Sequence, residues 1–359
     1  MNTQQTTDER FMRRCLQLAA NGLLTTKPNP MVGAVIVSAD GRIIGEGFTS
    51  PVGGPHAEVN AFASVKPADE PLLPGATIYV SLEPCSHWGH TPPCCDLIIR
   101  KRVKRCVCGC VDPFAKVQGR GISRMREAGI EVTVGVLEAE CKAINRRFMT
   151  FNELHRPYII LKWAQTANGY MAQSDRQPLR ISTPFTMMLS HKLRSECDAI
   201  LVGRTTFDTD HPQLTVRDWT GPNPERLVLT HRAINDAPAS SLSPSASSSP
   251  SPPSTPFIPS TPLNPSAPLA PSSASPFLCF PNIDAVIAHL TATQRQSLIV
   301  EGGPTVHQQF LDRGLWNELR VETAPFTIPG GISAPRIPDN AIADRIEQYD
   351  ENIIRWYHR

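Results

Sequence analysis

A chain of 359 residues exceeds the size at which one hydrophobic core usually stops growing, so two domains are expected, each able to bury its own core. Its 35 Lys and Arg stand against 33 Asp and Glu, a formal charge of +2 that exerts no global pull toward nucleic acid or membrane. The start is polar before it is amphipathic and no stretch approaches the ~20 apolar residues of a bilayer span, which predicts a cytoplasmic protein.

Elements alternate along the first 150 residues. DERFMRRCLQLAANG, residues 8–22, has helical spacing, whereas MVGAVIVS (31–38), RIIGEGF (42–48) and ATIYVSL (76–82) read as strands. CDLIIRKR (95–102) reads as a helix, VKRCVCGCV (103–111) as a strand, GISRMREAG (121–129) as a helix and IEVTVGV (130–136) as a strand. Such alternation predicts a layered α/β domain. A second α/β series runs through PYIILKWAQT (157–166), AILVG (199–203), RLVLT (226–230), SLIVEGG (297–303) and the helix TVHQQFLDRG (305–314), joined to the first near residues 145–156. The predicted division is therefore 1–150 and 151–359. Residues 236–276 are almost entirely Pro, Ser, Ala and Thr, cannot bury enough apolar surface to offset ordering, and are expected as a disordered insertion between two strands.

Ten cysteines in a long chain without an export signal predict thiols and a metal site rather than disulfides. Cys15, Cys106, Cys108, Cys110, Cys141, Cys197 and Cys279 are expected as small buried hydrophobes. PHAEVNAF (55–62) and SLEPCSHWGHTPPCC (81–95) are different, because they concentrate His56, Glu58, Cys85, Cys94 and Cys95 in one segment. Catalytic zinc takes three protein ligands and leaves a position for water, and His56, Cys85 and Cys94 supply such a set. Pro55 and Pro84 place His56 and Cys85 where helices could begin, which would favour the metal-binding thiolate. Glu58 is placed to move the proton of an activated water. A closed structural site with Cys95 or His87 as fourth ligand is the alternative; adjacent helical residues point about 100° apart, so only one of Cys94 and Cys95 should reach the metal. His87 and His90 are expected at the rim. Gly119–Ser123 could cradle a phosphate on backbone N–H groups, and Gly302-Gly303 before a helix could do the same for a dinucleotide.

H-x-E followed by P-C matches the zinc nucleobase deaminase signature, although eight residues rather than two separate Cys85 from Cys94. KPNPMVGAVIV, PHAEVNA, LEPCSHWGHTPPCCD and the later VQGRGI together resemble the bifunctional deaminase/reductases of riboflavin biosynthesis, over the whole chain except the Ser/Pro insertion. The resemblance implies a cytidine-deaminase-like α/β/α domain followed by a dihydrofolate-reductase-like α/β domain. It implies hydrolytic deamination of a phosphorylated ribosylaminopyrimidine, then NADPH-dependent reduction of the ribosyl group to ribityl. It makes His56, Cys85 and Cys94 the zinc ligands, Glu58 the proton shuttle and Asn29 a contact to the base. In the second half, LKWAQTANGYMA and AILVGRTTFDTDHPQLTVR resemble reductase segments. There the resemblance places Lys162, Arg194, Leu214, Arg217 and Glu301 toward the substrate. It places Ala164, Thr206, Asp210, Gly303, Pro304, Thr305, Val306, His307, Gln308 and Gln309 toward NADPH. Asn168, Pro178 and Arg180 depart from the family, which keeps open an altered reductase beside an intact deaminase. A nucleic-acid deaminase and a zinc-stabilised scaffold are the other rivals; the near-neutral charge and lack of a basic, aromatic-interleaved stretch oppose the former. Small-molecule partners, no nucleic acid and no membrane are expected, and a homo-oligomer is compatible with the sequence.

Overall fold

The structure, a computed structural model, describes residues 3–88, 92–114, 118–175, 177–231 and 276–359. Residues 236–275 of the Ser/Pro-rich insertion, and His90, lie outside them. In the first half the order is α1 (Thr3–Ala19), β1 (Gly33–Val37), β2 (Ile43–Phe48), α2 (Ala57–Ala63), β3 (Thr77–Leu82), α3 (Cys94–Lys101), β4 (Arg105–Cys110), α4 (Arg120–Glu127), β5 (Glu131–Val134) and α5 (Glu138–Ile144). α6 (Arg146–Leu154) follows and spans the expected division at 150. The strands form a sheet ordered β2-β1-β3-β4-β5, with β1 antiparallel to both neighbours and β3, β4 and β5 parallel.

β1, β3 and β4 read as near-continuous apolar runs because helices cover both sheet faces. Their residues, with Phe11, Met12 and Cys15 of α1 and Ile98 of α3, make one buried cluster. All five cysteines of the first half outside the PHAEVNAF–TPPCC segment, Cys15, Cys106, Cys108, Cys110 and Cys141, are buried as expected for small hydrophobes, and so is Cys197 of the second half. Cys279 is exposed instead, because it sits on a three-residue edge strand.

The second half continues β6 (Tyr158–Gln165), β7 (Tyr170–Gln173), α7 (Pro184–Glu196), β8 (Ala199–Gly203), α8 (Arg204–Asp210), β9 (Glu225–Leu229), β10 (Leu278–Phe280), α9 (Ile283–Ala292), β11 (Ser297–Val300), α10 (Pro304–Asp312), β12 (Glu318–Thr323), β13 (Gly331–Ser333), β14 (Ile342–Tyr349) and β15 (Asn352–His358). Among the described residues its main sheet runs β10-β9-β8-β11-β6-β12-β15-β14; the first six strands are parallel and β15 and β14 return antiparallel. Odd residues of β6, such as Ile159 and Leu161, face a core shared with α9 and α10, and even ones, such as Tyr158 and Ile160, face a second core on the α7 side. α7 opens on a capping box, Thr183 Oγ1 accepting from Thr186 N at 3.2 Å, with Pro184 at the first helical position. The parallel strands bring their carboxyl ends to one edge, where α/β sheets bind ligands. No helix among the described residues is long and apolar enough to cross a membrane.

Candidate active sites

Three loops meet where β1 begins and β3 ends. Because β1 runs antiparallel to β3, Gly33 N donates to Ser81 Oγ at 3.1 Å, and β3 then carries the chain through Glu83 to Cys85. β2 ends at Phe48 opposite Gly33, and its outgoing loop leads to His56, the N-cap of α2. α2 lies flush on β2 because position 47 has no side chain; a Cβ there would stand 2.4 Å from Ala61 N and 2.5 Å from Ala57 O. That close packing sets Glu58, in the first turn, inside the site with 4% of its surface exposed.

His56 Nδ1 lies 3.6 Å from Cys85 Sγ and 3.4 Å from Cys94 Sγ, and the three donor atoms lie within 4.8 Å of one another. A tetrahedral centre with Zn–S of about 2.3 Å and Zn–N of about 2.0–2.1 Å separates N from S by roughly 3.6 Å, so these donors already stand at zinc spacing. Two thiols and an imidazole, with no fourth protein donor grouped with them among the described residues, suit a zinc that keeps one position open. Cys95, expected to miss the metal, is buried, turns its Sγ to Asp96 Oδ1 at 3.6 Å, and has its thiol pushed up to about 12 by burial.

The helix start expected at Cys85 is found at Cys94 instead. Cys85 lies in the segment leaving β3, and Pro93 is the residue that opens the helix. The electrostatic effect survives by another route, since Cys94 N, at that helix start, donates to Cys85 Sγ at 3.3 Å. Donation from Cys94 and His56 makes Cys85 the more acidic thiol, and the same contact holds the Cys94 proton on. Burial, with the neighbouring Cys85 charge, pushes the Glu58 carboxyl up to about 7, a range suited to taking and giving a proton near neutrality.

The Gly119–Ser123 stretch departs from its expected phosphate role. Its amides are already occupied: Gly119 N donates to Glu83 Oε2 at 2.8 Å, Gly121 N to Glu83 Oε1 at 3.0 Å and Ile122 N to the same oxygen at 3.3 Å. Glu83, 3% exposed, supplies the anion that the start of α4 demands, and thereby ties the Cys85 loop to that helix.

In the second half a cleft of about 1310 Å³ opens at the carboxyl ends of β6, β8, β9 and β11. Lys162 and Ala164 come from β6, Thr206 and Asp210 from α8, and Glu301 with Gly303 from the turn between β11 and α10. Arg194 of α7 grips Glu301 with both ends of its guanidinium, at 2.9 and 2.7 Å, and Lys162 Nζ stands 3.9 Å from the same carboxylate. Burial alone would raise the Glu301 carboxyl, but Arg194 and Lys162 outweigh it and hold it down at about 2.

Comparison with known proteins agrees with both geometries. The cytidine and deoxycytidylate deaminase zinc-binding region matches residues 5–110, and the RibD C-terminal domain matches residues 157–348. The riboflavin biosynthesis protein RibD of Aquifex aeolicus is 34% identical over 360 residues, covering 98% of each chain. The chain belongs to the RibD family. The Escherichia coli RibD is 43% identical over 213 residues, 59% of this chain and 56% of that protein. A Thermotoga maritima diaminohydroxyphosphoribosylaminopyrimidine deaminase/5-amino-6-(5-phosphoribosylamino)uracil reductase superimposes with a TM-score of 0.81 at 30% identity, and an Acinetobacter baumannii RibD with 0.80 at 26%, each over 99% of both chains. The RibD chain is a bifunctional enzyme of riboflavin biosynthesis, joining a zinc-binding deaminase to a reductase.

Within this RibD fold the expected residues separate into groups. Lys162, Ala164, Thr206, Asp210, Glu301, Gly303, Pro304, Thr305, Val306 and Gln309 line the cleft. Arg194 stands behind Glu301 rather than in the wall. Leu214 does not line it: it is 3% exposed and belongs to the core on the α7 side. Arg217 is set apart too, its amide donating at 2.9 Å to His191 Nδ1 while its guanidinium reaches Gln213 and Thr215. His307 faces inward from α10, fully buried, its ring nitrogens 3.1–3.2 Å from the carbonyls of Gly303, Lys162 and Val300. Gln308 turns outward and donates to Asp312. Asn29 is exposed and lines a smaller cavity of about 80 Å³ between the two halves. Of the family departures, Pro178 and Arg180 line the cleft, whereas Asn168 holds the turn between β6 and β7, donating to Ile328 O at 2.8 Å. Ser182, Thr209 and Asn282 also line the cleft and were not expected from sequence; Thr209 comes from α8 and the other two from the segments leading into α7 and α9, with no shared spacing.

Proposed function

We propose that residues 1–150 deaminate, and residues 151–359 then reduce, one phosphorylated aminopyrimidine inside the cell. What supports this reading is the meeting of His56, Cys85 and Cys94 beside buried Glu58, in a chain whose second sheet opens a cleft at its carboxyl edge. The name of the Thermotoga maritima neighbour supports carrying over both reactions. The 2-amino group of 2,5-diamino-6-ribosylamino-4(3H)-pyrimidinone 5′-phosphate is hydrolysed first, and the ribosyl group is then reduced to ribityl.

His56, Cys85 and Cys94 would hold zinc, which when bound would supply the Lewis acidity that activates water near neutral pH. Glu58 accepts the proton of the attacking water and returns it to the departing amine. Asn29 contacts the base. In the second half NADPH, when bound, supplies the hydride. Gly303, Pro304, Thr305 and Val306 offer it the start of α10, an anion-binding helix end, with Ala164, Thr206, Asp210 and Gln309 around it. Lys162 faces the substrate, and Glu301 sits beside it, braced by Arg194.

The test is a two-step assay on purified protein with metal analysis. The expected result is stoichiometric zinc, ammonia release from the aminopyrimidine and NADPH oxidation by the deaminated product. Ammonia release without NADPH oxidation would leave an intact deaminase beside an altered reductase, the reading that Pro178 and Arg180 in the cleft wall favour. A zinc-free active protein would overturn the deaminase assignment.

A further inference from the structure

The loop that carries Asn29 is held from three sides, and one of them belongs to the other half of the enzyme. On the deaminase side, Val52 N donates to Thr25 O at 3.3 Å and Thr49 N to Val32 O at 2.9 Å, which ties residues 25–32 to the loop leading into His56. Near the joint between halves, buried Asn145 clasps Met31 through both backbone groups, at 2.8 Å each. From the reductase side comes a polar socket. Lys27 Nζ donates to Glu196 O at 2.7 Å and stands 3.1 Å from Asp198 Oδ1, while Gln296 Nε2 donates to Pro28 O at 2.7 Å.

The socket is preorganised. Glu196 is the last residue of α7, where unpaired carbonyls and the helix dipole favour a cation. Asp198 is fixed by Gln296 N at 2.9 Å and Ser297 Oγ at 2.8 Å on its second oxygen, leaving the first for Lys27. Charge-assisted bonds of this kind, with the side chains of Lys27 and Asp198 only 22% and 10% exposed, outweigh a typical surface pair in holding a backbone in place. Pro28 and Asn29 lie outside helix and strand, and within the loop itself Asn29 is held by a turn, its N donating to Thr26 O at 2.8 Å, while Pro28 O is held by Gln296.

We infer that Lys27 is a positioning residue of the deaminase reaction: seated in the α7–β8 socket of the reductase half, it fixes the loop that presents Asn29 to the pyrimidine. This rests on the reading of Asn29 as a base contact given above. Its consequence is that the reductase half completes the deaminase site, although it contributes no group to the chemistry.

The experiment measures steady-state deamination, zinc content and NADPH oxidation for full-length Lys27→Met, Asp198→Asn, their double variant, Asn29→Ala and Asn29→Ala with Lys27→Met. Misplacing one contact without losing the catalytic groups should raise the deaminase KM about tenfold in Lys27→Met and in Asp198→Asn, with kcat, zinc and NADPH oxidation within about twofold of wild type. The double variant should be no worse than either single, and Lys27→Met should add nothing to Asn29→Ala. A deaminase KM unchanged in both Lys27→Met and Asp198→Asn overturns the inference, as does a multiplicative effect of Lys27→Met on Asn29→Ala. Asp198→Asn keeps the shape of the socket and decides the matter should Lys27→Met fold poorly. An unchanged KM in Asn29→Ala beside a raised KM in Lys27→Met removes the base contact and leaves Lys27 as the residue that positions the loop.

Discussion

Glu58 carries the deaminase prediction at the scale of one residue. Glu58→Gln keeps the shape of the first turn of α2 and leaves the three donors in place, so zinc should stay bound while ammonia release falls about 10²–10⁴-fold, the usual worth of a positioned acid–base group. Reduction of the deaminated product by the same variant should be unchanged, which a parallel NADPH assay checks. Glu83→Gln tests a different role. An amide in place of that carboxylate turns an N–H₂ toward amides that need an acceptor, so the thermal midpoint should drop by the equivalent of about 1–3 kcal/mol. The metal trio was legible in the sequence because zinc chemistry demands particular donors and H-x-E is a short-range pattern. Glu83 was not, since the glycines at the start of α4 signal an anion site without saying that its anion stands 36 residues upstream.

Among elements, α7 and the turn after β11 are joined by the Arg194–Glu301 pair, which is bidentate and largely shielded, its side chains 13% and 8% exposed. Removing one member leaves an uncompensated charge, so Glu301→Gln should cost about 3–5 kcal/mol in a denaturant titration and raise the reductase KM. The pH dependence follows from a depressed carboxylate. Glu301 titrates at about 2 in the folded protein and near 4.3 when unfolded, so its stabilisation is fully present above about pH 4.3 and is lost as pH falls toward 2. The gap in thermal midpoint between wild type and Glu301→Gln should therefore narrow across that window. Of the parallel strands, β3 and β4 in the first sheet and β6, β8, β9 and β11 in the second were legible as apolar runs. β12 was not, because Glu318, Arg320 and Glu322 are all buried in it, with Glu322 taking hydrogen bonds from Ser182, Thr186 and Asn352; tertiary partners there override the alternation a sequence would need. β14 escaped notice for the opposite reason, since it is mostly exposed and presents no apolar face.

At the scale of the molecule, the two chemistries share a chain but not a metal. Stripping zinc with a chelator should abolish ammonia release and leave NADPH oxidation by the deaminated product intact, measured on the same preparation. β9 and β10 are parallel neighbours, Leu227 facing Leu278, with residues 230–277 between them. Deleting 240–274 leaves about 13 residues for that crossover, enough for a parallel connection, so both activities should survive. The seating of Lys27 beside Asp198 also bears on why both activities sit on one polypeptide. Gene fission at the joint would leave this ammonium and this carboxylate each to water, and the segment around Pro28 would lose the seat that the other half provides.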